Sequence, residues 1–513
     1  MSSQISPYQI SSPGFLGINL QDSPLSMNPG YALDATNCVI DKSGRLASRN
    51  GWSSLNTLNV DLGTATVTCL GELIQGDGTK TILATGNNLL FKFSGSTLTK
   101  LTYGGAGVAP VITANNWTFL QLNGIGIFYQ RGYDPLIYDP AVSTTTFRRL
   151  SEKAASAGTI YQCNIAISAF GRVWAADIAT DKNTIVWSGL KTPHIWNSVD
   201  AGSIDLTGVW PQGGDEIVAL GAHNNALFIF GKKQILIYSG ASNPTNLSLS
   251  DTISSIGCIA RDSIQYTGED IIFLSSSGVR SLMRTIQEKS APLRDLSKNI
   301  RDELISYTNL EPVDGIKTIY SHSHGFYLLT LPVASVTYCL DIKKTTEDGS
   351  ARVTKWNNIN PTAYLFTSDR KIYIGKTGYI GYYNTSLDNG VTYRISYYTP
   401  WIDFGSPVQT SILKKILLTV IGGGFTSVIF KWAFDFNTTY SSISIPLSNN
   451  AAVAEYGIAE YGIAEYLGGS ATSILKVSAG GSGNVIQFGF ESIINGYQLS
   501  MQKLDIQTKD GRL

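Results

Sequence analysis

The chain is poor in charge and in cysteine, and it lacks any long apolar run. Charged residues make up 15% of its 513 residues, and 38 Lys and Arg balance 38 Asp and Glu, so the formal net charge is zero. Proteins that grip nucleic acid cluster cations on one face. Here the longest basic clusters are pairs (Arg148 with Arg149, Lys232 with Lys233, Lys343 with Lys344, Lys414 with Lys415), which read as solvated strand ends. That argues against a dedicated phosphate-binding surface. The five cysteines, Cys38, Cys69, Cys163, Cys258 and Cys339, stand more than 30 residues apart, so there is no CxxC pair. An odd number of cysteines in apolar, strand-like surroundings reads as reduced, buried thiols, and so as folding in a cytosol. The longest apolar run, Ile412 to Val420, is broken by Lys414 and Lys415 and could not span a membrane. The first residues lack the charged-then-apolar shape of a secretory signal.

Signatures of chemistry are also missing. The sequence has no Walker A motif, GxSxG elbow, HExxH motif or Asp-x-Asp-x-Asp-Gly calcium loop. His322 and His324 form an HxH that would share one face of a strand, but two ligands do not make a metal site. Propeller glycosidases need paired carboxylates at a pocket. Asp134, Asp139, Asp177, Asp215 and Glu216 are candidates only because acids are few, and no Ser-x-Asp-x-Gly-x-x-Trp repeat accompanies them. No catalytic, cofactor or metal residue is assigned.

What the chain does have is a repeat. Seven apolar segments rich in aromatic and β-branched residues, at 81–94, 124–139, 171–188, 225–239, 270–282, 324–341 and 370–384, recur every 43 to 54 residues. A propeller blade is one small antiparallel sheet of about this length. With 51 Gly, 26 Tyr and period-two alternation, the composition is that of an all-β chain. The spacing predicts a β-propeller of six or seven blades over 53–395. One helix is expected near 295–307, where Leu296, Ile300 and Leu304 share a face, covering an edge between blades. Trp174, Trp187, Trp196 and Trp210 are dense enough to fill the space between blades, or to form a sugar-stacking platform.

The two flanks differ from this core. Residues 1–52 hold Pro13, Pro24, Pro29 and several glycines, and are expected as an extended N-terminal arm with a tight turn at Asp41 to Gly44. Residues 396–513 read as a C-terminal β-sandwich with Gly-rich turns. Within it, 454–467 repeats Ala-Glu-Tyr-Gly-Ile with a five-residue period that suits neither helix nor strand, so a Tyr-rich loop is expected.

Four blocks resemble a known family. They are Gly17-Ile-Asn-Leu-Gln-Asp22-Ser-Pro24 with Pro29-Gly30-Tyr-Ala32, Asn37-Cys-Val-Ile-Asp41, Gly44-Arg45-Leu46 and Arg49-Asn-Gly51-Trp; Gly257-Cys-Ile-Ala-Arg261-Asp-Ser263-Ile with Phe273-Leu-Ser-Ser-Ser-Gly278-Val279-Arg280; Thr399-Pro-Trp401-Ile-Asp403-Phe404-Gly405; and Gln498-Leu-Ser-Met-Gln-Lys-Leu-Asp505, ending in Gly511-Arg512. In this order they resemble the tail nozzle of short-tailed bacteriophages, also called tail tubular protein B or DNA-stabilisation protein. The resemblance implies a structural virion protein assembled in the bacterial cytoplasm. Six copies would form a homo-hexameric ring below an adaptor, the head-to-tail connector protein, and build and gate the distal channel for genome ejection. Double-stranded DNA would pass through, and tail fibres or spikes would attach nearby. Extended arms and tyrosines are economical contact devices. The candidate interface residues are therefore Asp22, Pro24, Asn37, Arg45 and Arg49 in the arm and Tyr456, Tyr461 and Tyr466 in the loop. A glycan-binding propeller using Trp187 or Trp196 in host-surface recognition is the alternative, and a propeller glycosidase is a third reading.

Overall fold

All seven apolar segments fold as β-hairpins. The computed structural model describes residues 5–11, 14–41, 43–112, 116–288, 295–404, 409–424, 426–447 and 472–510. In it, Lys80–Gly86 pairs with Leu89–Ser94, and the same antiparallel pairing recurs in each later segment, ending with Ile372–Gly375 against Ile380–Thr385. Local chemistry favours these turns. Asn87 with Asn88, Asn123 with Gly124, and Asn224 with Asn225 all have positive φ at both positions, the conformation a two-residue hairpin turn needs to match strand twist.

Each hairpin belongs to a larger sheet, and in all but the fifth it forms the middle. The preceding strand lies innermost: Val67–Ile74, Thr118–Leu122, Cys163–Ala169, Ile217–His223, Gln265–Tyr266, Lys317–Ser321 and Ala363–Phe366, in chain order. Residues from or beside all of these strands line one central cavity, so the sheets radiate from a common axis. The fold is a β-propeller. Six of its sheets contribute four or more strands, and the fifth has three. At the outer edge of the fifth, beyond Gly278–Ser281, the chain turns helical. Leu296 donates its N–H to the Val279 carbonyl, and the helix Arg301–Thr308 buries Leu304 there. Helix and sequence expectation overlap in position, and the segment at Leu296 lies along the edge where a fourth strand would run, with the helix following it.

Apolar side chains collect between neighbouring blades. Trp117, Phe128 and Leu83 fill the space between the first and second. Trp174, Trp187 and Trp210 lie between the third and fourth, and Trp196 lies between the second and third. All four of the last-named tryptophans are buried.

The last blade closes the ring with a strand from the other end of the chain. Its outermost strand is Gly51–Ser54, antiparallel to Ile380–Thr385. The seventh segment is thus a blade in its own right. Gly51 is required here, since a Cβ would sit 2.1 Å from the Leu387 carbonyl oxygen.

The described part of 1–52, expected as an extended arm, contributes strands to four sheets. Ile5–Ser11 pairs with Leu499–Asp510, and Cys38–Ile40 pairs with Leu46–Ser48 around the expected turn at Asp41 to Gly44. Asp34–Thr36 lies between Arg352–Trp356 of the sixth blade and Tyr393–Tyr398, making one nine-stranded sheet that runs from the propeller into the C-terminal region. There, Tyr393–Tyr398, Ile486–Ile494, Ser427–Phe434 and Ser441–Pro446 form one layer. Ser411–Gly422, Thr472–Ser478 and Leu499–Asp510 belong to a second sheet. Phe430, Phe488 and Phe490 from the first share a buried cluster with Ile416, Leu418 and Leu504 from the second. The repeat with Tyr456, Tyr461 and Tyr466 lies outside the described residues.

Candidate functional site

Two arginines organise the molecule, the half-buried Arg261 on the propeller axis and the buried Arg49 at the closing seam. Arg261 belongs to the short turn Arg261–Ser263 that leads into the innermost strand of the fifth blade. Its fork reaches across to the second and third blades. Nη2 donates to Asn116 Oδ1 at 2.6 Å and to the Trp117 carbonyl at 2.9 Å, and Nη1 donates to the Asn164 carbonyl at 2.7 Å and to Asn164 Oδ1 at 3.0 Å. Nε donates to Asp262 Oδ1 at 2.7 Å, and the other oxygen of Asp262 pairs with Lys317 on the sixth blade. The planar, always-charged guanidinium suits a site that must satisfy several fixed carbonyls at once. Asn164 extends the network outward, donating to Asp177, which pairs with Arg131.

Around this pin lies the axial cavity, of about 300 Å³. Arg261, Asp262 and Lys317 share its wall with Cys69, Phe119 and Leu220, among others. Burial pushes the Asp262 carboxyl up, but the charges and hydrogen bonds of Arg261 and Lys317 outweigh it and hold the group at about 2. Burial pushes the Cys69 thiol up to about 12, so it stays protonated and unreactive at neutral pH. The five cysteines are all buried and none is in a disulfide.

The seam is drier. Arg49 is 0% exposed and grips Asp388 with both nitrogens of its fork, at 2.8 and 2.6 Å. Its Nε donates to Asn37 Oδ1 at 2.9 Å, and its guanidinium lies 4.1 Å from the Tyr393 ring centre. Asn37 is 1% exposed and donates to the Arg394 carbonyl. These contacts tie the N-terminal segment to the last blade and to the C-terminal region. Asn37 and Arg49, expected as contact residues for another subunit, are interior instead: both are consumed in closing this chain on itself. Arg45 is half-buried and pairs with Asp41 within its own turn. Asp22 and Pro24 are exposed, with Asp22 accepting from Asn19.

The other sequence candidates do not come together. Asp139 pairs with Lys153, and Glu216 pairs with Lys182 and Lys232. Asp215 accepts the backbone N–H groups of Lys232 and Lys233. Burial pushes the Asp134 carboxyl up against its hydrogen bond from Ser151, with Glu152 adding to the rise. Glu152 is itself spent on Tyr103, Arg149 and its own capping turn. His322 and His324 lie in the turn after Lys317–Ser321, not on a strand; His322 packs on Tyr320 and Phe366, and His324 on Phe326. No group of three metal-ligating side chains occurs among the described residues. Trp187 and Trp196 cannot form a sugar platform, because each is buried and gives its ring N–H to a carbonyl, of Asp200 and Pro193 respectively.

No protein-family model matches the chain, and no curated protein matches it. Solved structures are similar in fold. The extracellular domain of a one-component system from B. thetaiotaomicron has a TM-score of 0.43 at 11% identity, covering 83% of this chain and 59% of that one. The chain thus spans little more than half of that protein. The WD40 domain of Neurospora crassa Pan2 has a TM-score of 0.37 at 9% identity, covering 66% of this chain and 94% of that one. Kuenenia stuttgartiensis hydrazine synthase has a TM-score of 0.37 at 11% identity, covering 64% and 98%. Such likeness concerns the fold alone and carries no argument about activity.

The sequence motifs do not single out Lys317 or Asp388. Arg261 stands inside one of the resembling blocks without a role. An Arg-Asp pair inside the apolar run Gly257 to Ile264 is the one available signal, since charges in such a run must find buried partners.

Proposed function

We propose that the chain is a non-catalytic structural subunit of a short-tailed phage tail, a nozzle protomer whose ring builds and gates the distal exit channel for genomic DNA. One observation carries this reading. The blocks that resemble the nozzle family lie at the fastenings of the molecule. Asn37 and Arg49 form the seam, and Arg261 pins the axis. Thr399 is locked by Phe488 and Gln487, and Leu499–Asp510 pairs with both N-terminal strands Ile5–Ser11 and Leu46–Ser48. A resemblance concentrated at joints reports shared architecture, which is what a subunit under mechanical load has to keep.

The fastenings also suit the role physically. The Arg261 pin crosses the propeller's own axis, so a DNA duplex would pass between subunits of a ring and not through one propeller. A chain without net charge holds a polyanion less tightly than a basic one would, which suits a duplex that has to slide past. Contacts with an adaptor ring above, with fibres or spikes, and with neighbouring copies would fall to exposed segments such as Asp22 and Pro24. Electron microscopy of particles made with this gene disrupted tests the reading. Tailless or stub-tailed heads that have lost their DNA are expected. Intact, DNA-filled particles with complete tails would overturn it.

A further inference from the structure

We propose that the axial cavity of the propeller is a binding site for a small organic monoanion, a carboxylate with a short apolar tail, anchored by Lys317. The argument is one of charge and donors. Arg261, Asp262 and Lys317 put two cations against one anion at the cavity wall. Arg261 has spent every donor of its fork on Asp262, Asn116, Trp117 and Asn164, and Asp262 has spent both oxygens. Lys317 has not. Its ammonium carries three N–H donors, and Asp262 is its sole acceptor among the described residues.

Lys317 is 13% exposed and lines the cavity, so its spare donors have only that space to serve. A buried cation left half-compensated favours an incoming anion. The other polar groups nearby are already occupied: Gln265 bonds Thr318 and the Tyr320 N–H, Thr318 bonds the Asp262 carbonyl, and Tyr364 bonds Thr330. Phe119, Leu220 and Ile264 supply apolar surface to the same wall, beside the hydroxyls of Thr68, Thr118 and Tyr266. A cation with spare donors beside apolar side chains, in about 300 Å³, gives a small amphipathic anion both an anchor and a place for a short tail.

The test uses the full chain and hexanoate as probe, with hexanol as the neutral control, by titration calorimetry. Saturable one-to-one binding of hexanoate is expected, with hexanol far weaker. Lys317→Met should weaken hexanoate binding about ten-fold or more, the loss expected for a charge-assisted hydrogen bond. Lys100→Met, at an exposed lysine, should leave it unchanged. Absence of hexanoate binding, equal binding of hexanol, or undiminished binding by a folded Lys317→Met protein would each overturn the proposal. Should Lys317→Met fail to fold, a crystal structure of the wild-type protein with hexanoate decides. Density beside Lys317 supports the site, and density elsewhere or none refutes it.

Discussion

The propeller and the C-terminal region bury their apolar faces differently. Around most of the ring, each pair of neighbouring blades encloses its own cluster, such as the one holding Trp174 and Leu227 between the third and fourth. Between the fifth and sixth blades the arrangement changes. Val279 and Leu329 of those blades join Phe15, Ile18 and Ala35 of the N-terminal segment and Phe430 and Phe490 of the C-terminal layers in one continuous cluster. Separate clusters confine damage to one blade interface. A merged cluster makes blade, N-terminal segment and C-terminal region a single cooperative body. The difference teaches that the propeller and the C-terminal layers are not two beads on a string.

The strongest way to break this comparison is a pair of cavity variants. Trp174→Ala and Phe430→Ala should each cost about 3–5 kcal/mol, read as the shift in denaturant midpoint. Hydrogen exchange should separate them. In Trp174→Ala the faster exchange should stay within the third and fourth blades. In Phe430→Ala it should spread through the C-terminal layers, the sixth blade and Asp34–Thr36. Confinement in both would sink the merged-core account.

The seam comes next. Arg49→Met removes the partner of a nearly buried carboxylate and should cost about 3–4 kcal/mol. Adding Asp388→Leu should recover most of that loss, because the penalty lies in the orphaned charge. A double variant as unstable as the single would instead assign the cost to lost packing against Tyr393.

The axis gives a smaller, pH-dependent effect. Asp262 is held at about 2, below its ordinary value of 3.8, so its contribution is present above about pH 4 and lost as the pH falls toward 2. The size is about 2 kcal/mol, and Asp262→Asn should flatten the acid limb of a stability-versus-pH curve in that window. Asp341 works in the opposite sense. Burial pushes it up despite Arg352 and Lys343, so its share of stability is present at low pH and lost as the pH rises through its elevated value. The smallest effect is at the rim: Lys80 pairs with Asp369 in solvent, and Lys80→Ala should cost under about 1 kcal/mol, shrinking further in high salt.

Burial decides how much of this was legible in the sequence. The seven segments stand out because in the four-stranded blades they are the two middle strands, apolar on both faces, as in Ala226–Gly231 with Ile235–Ser239. The innermost strands do not, since Gln265–Tyr266 is two residues long and Thr118–Leu122 is only partly buried. The N-terminal segment misleads because its prolines and glycines describe local conformation, whereas its pairing partners lie more than 300 residues away, as with Arg49 and Asp388. Arg49 and Asn37 stand out through the family resemblance, but nothing local distinguishes a residue turned toward another subunit from one turned inward.

The closing strand has a consequence for biosynthesis. Ile5–Ser11, Asp34–Thr36 and Gly51–Ser54 leave the ribosome several hundred residues before their partners Leu499–Asp510, Tyr393–Tyr398 and Ile380–Thr385. At ordinary elongation rates the interval is roughly a quarter of a minute to two minutes. During that time the opening segment is synthesised but has no sheet to join, and the ring stays unlatched. Closure of the ring must therefore wait for long-range strand pairing, which is slow. A chain truncated near its C-terminus would leave both ends with unpaired strand edges, exposed to proteases and to one another.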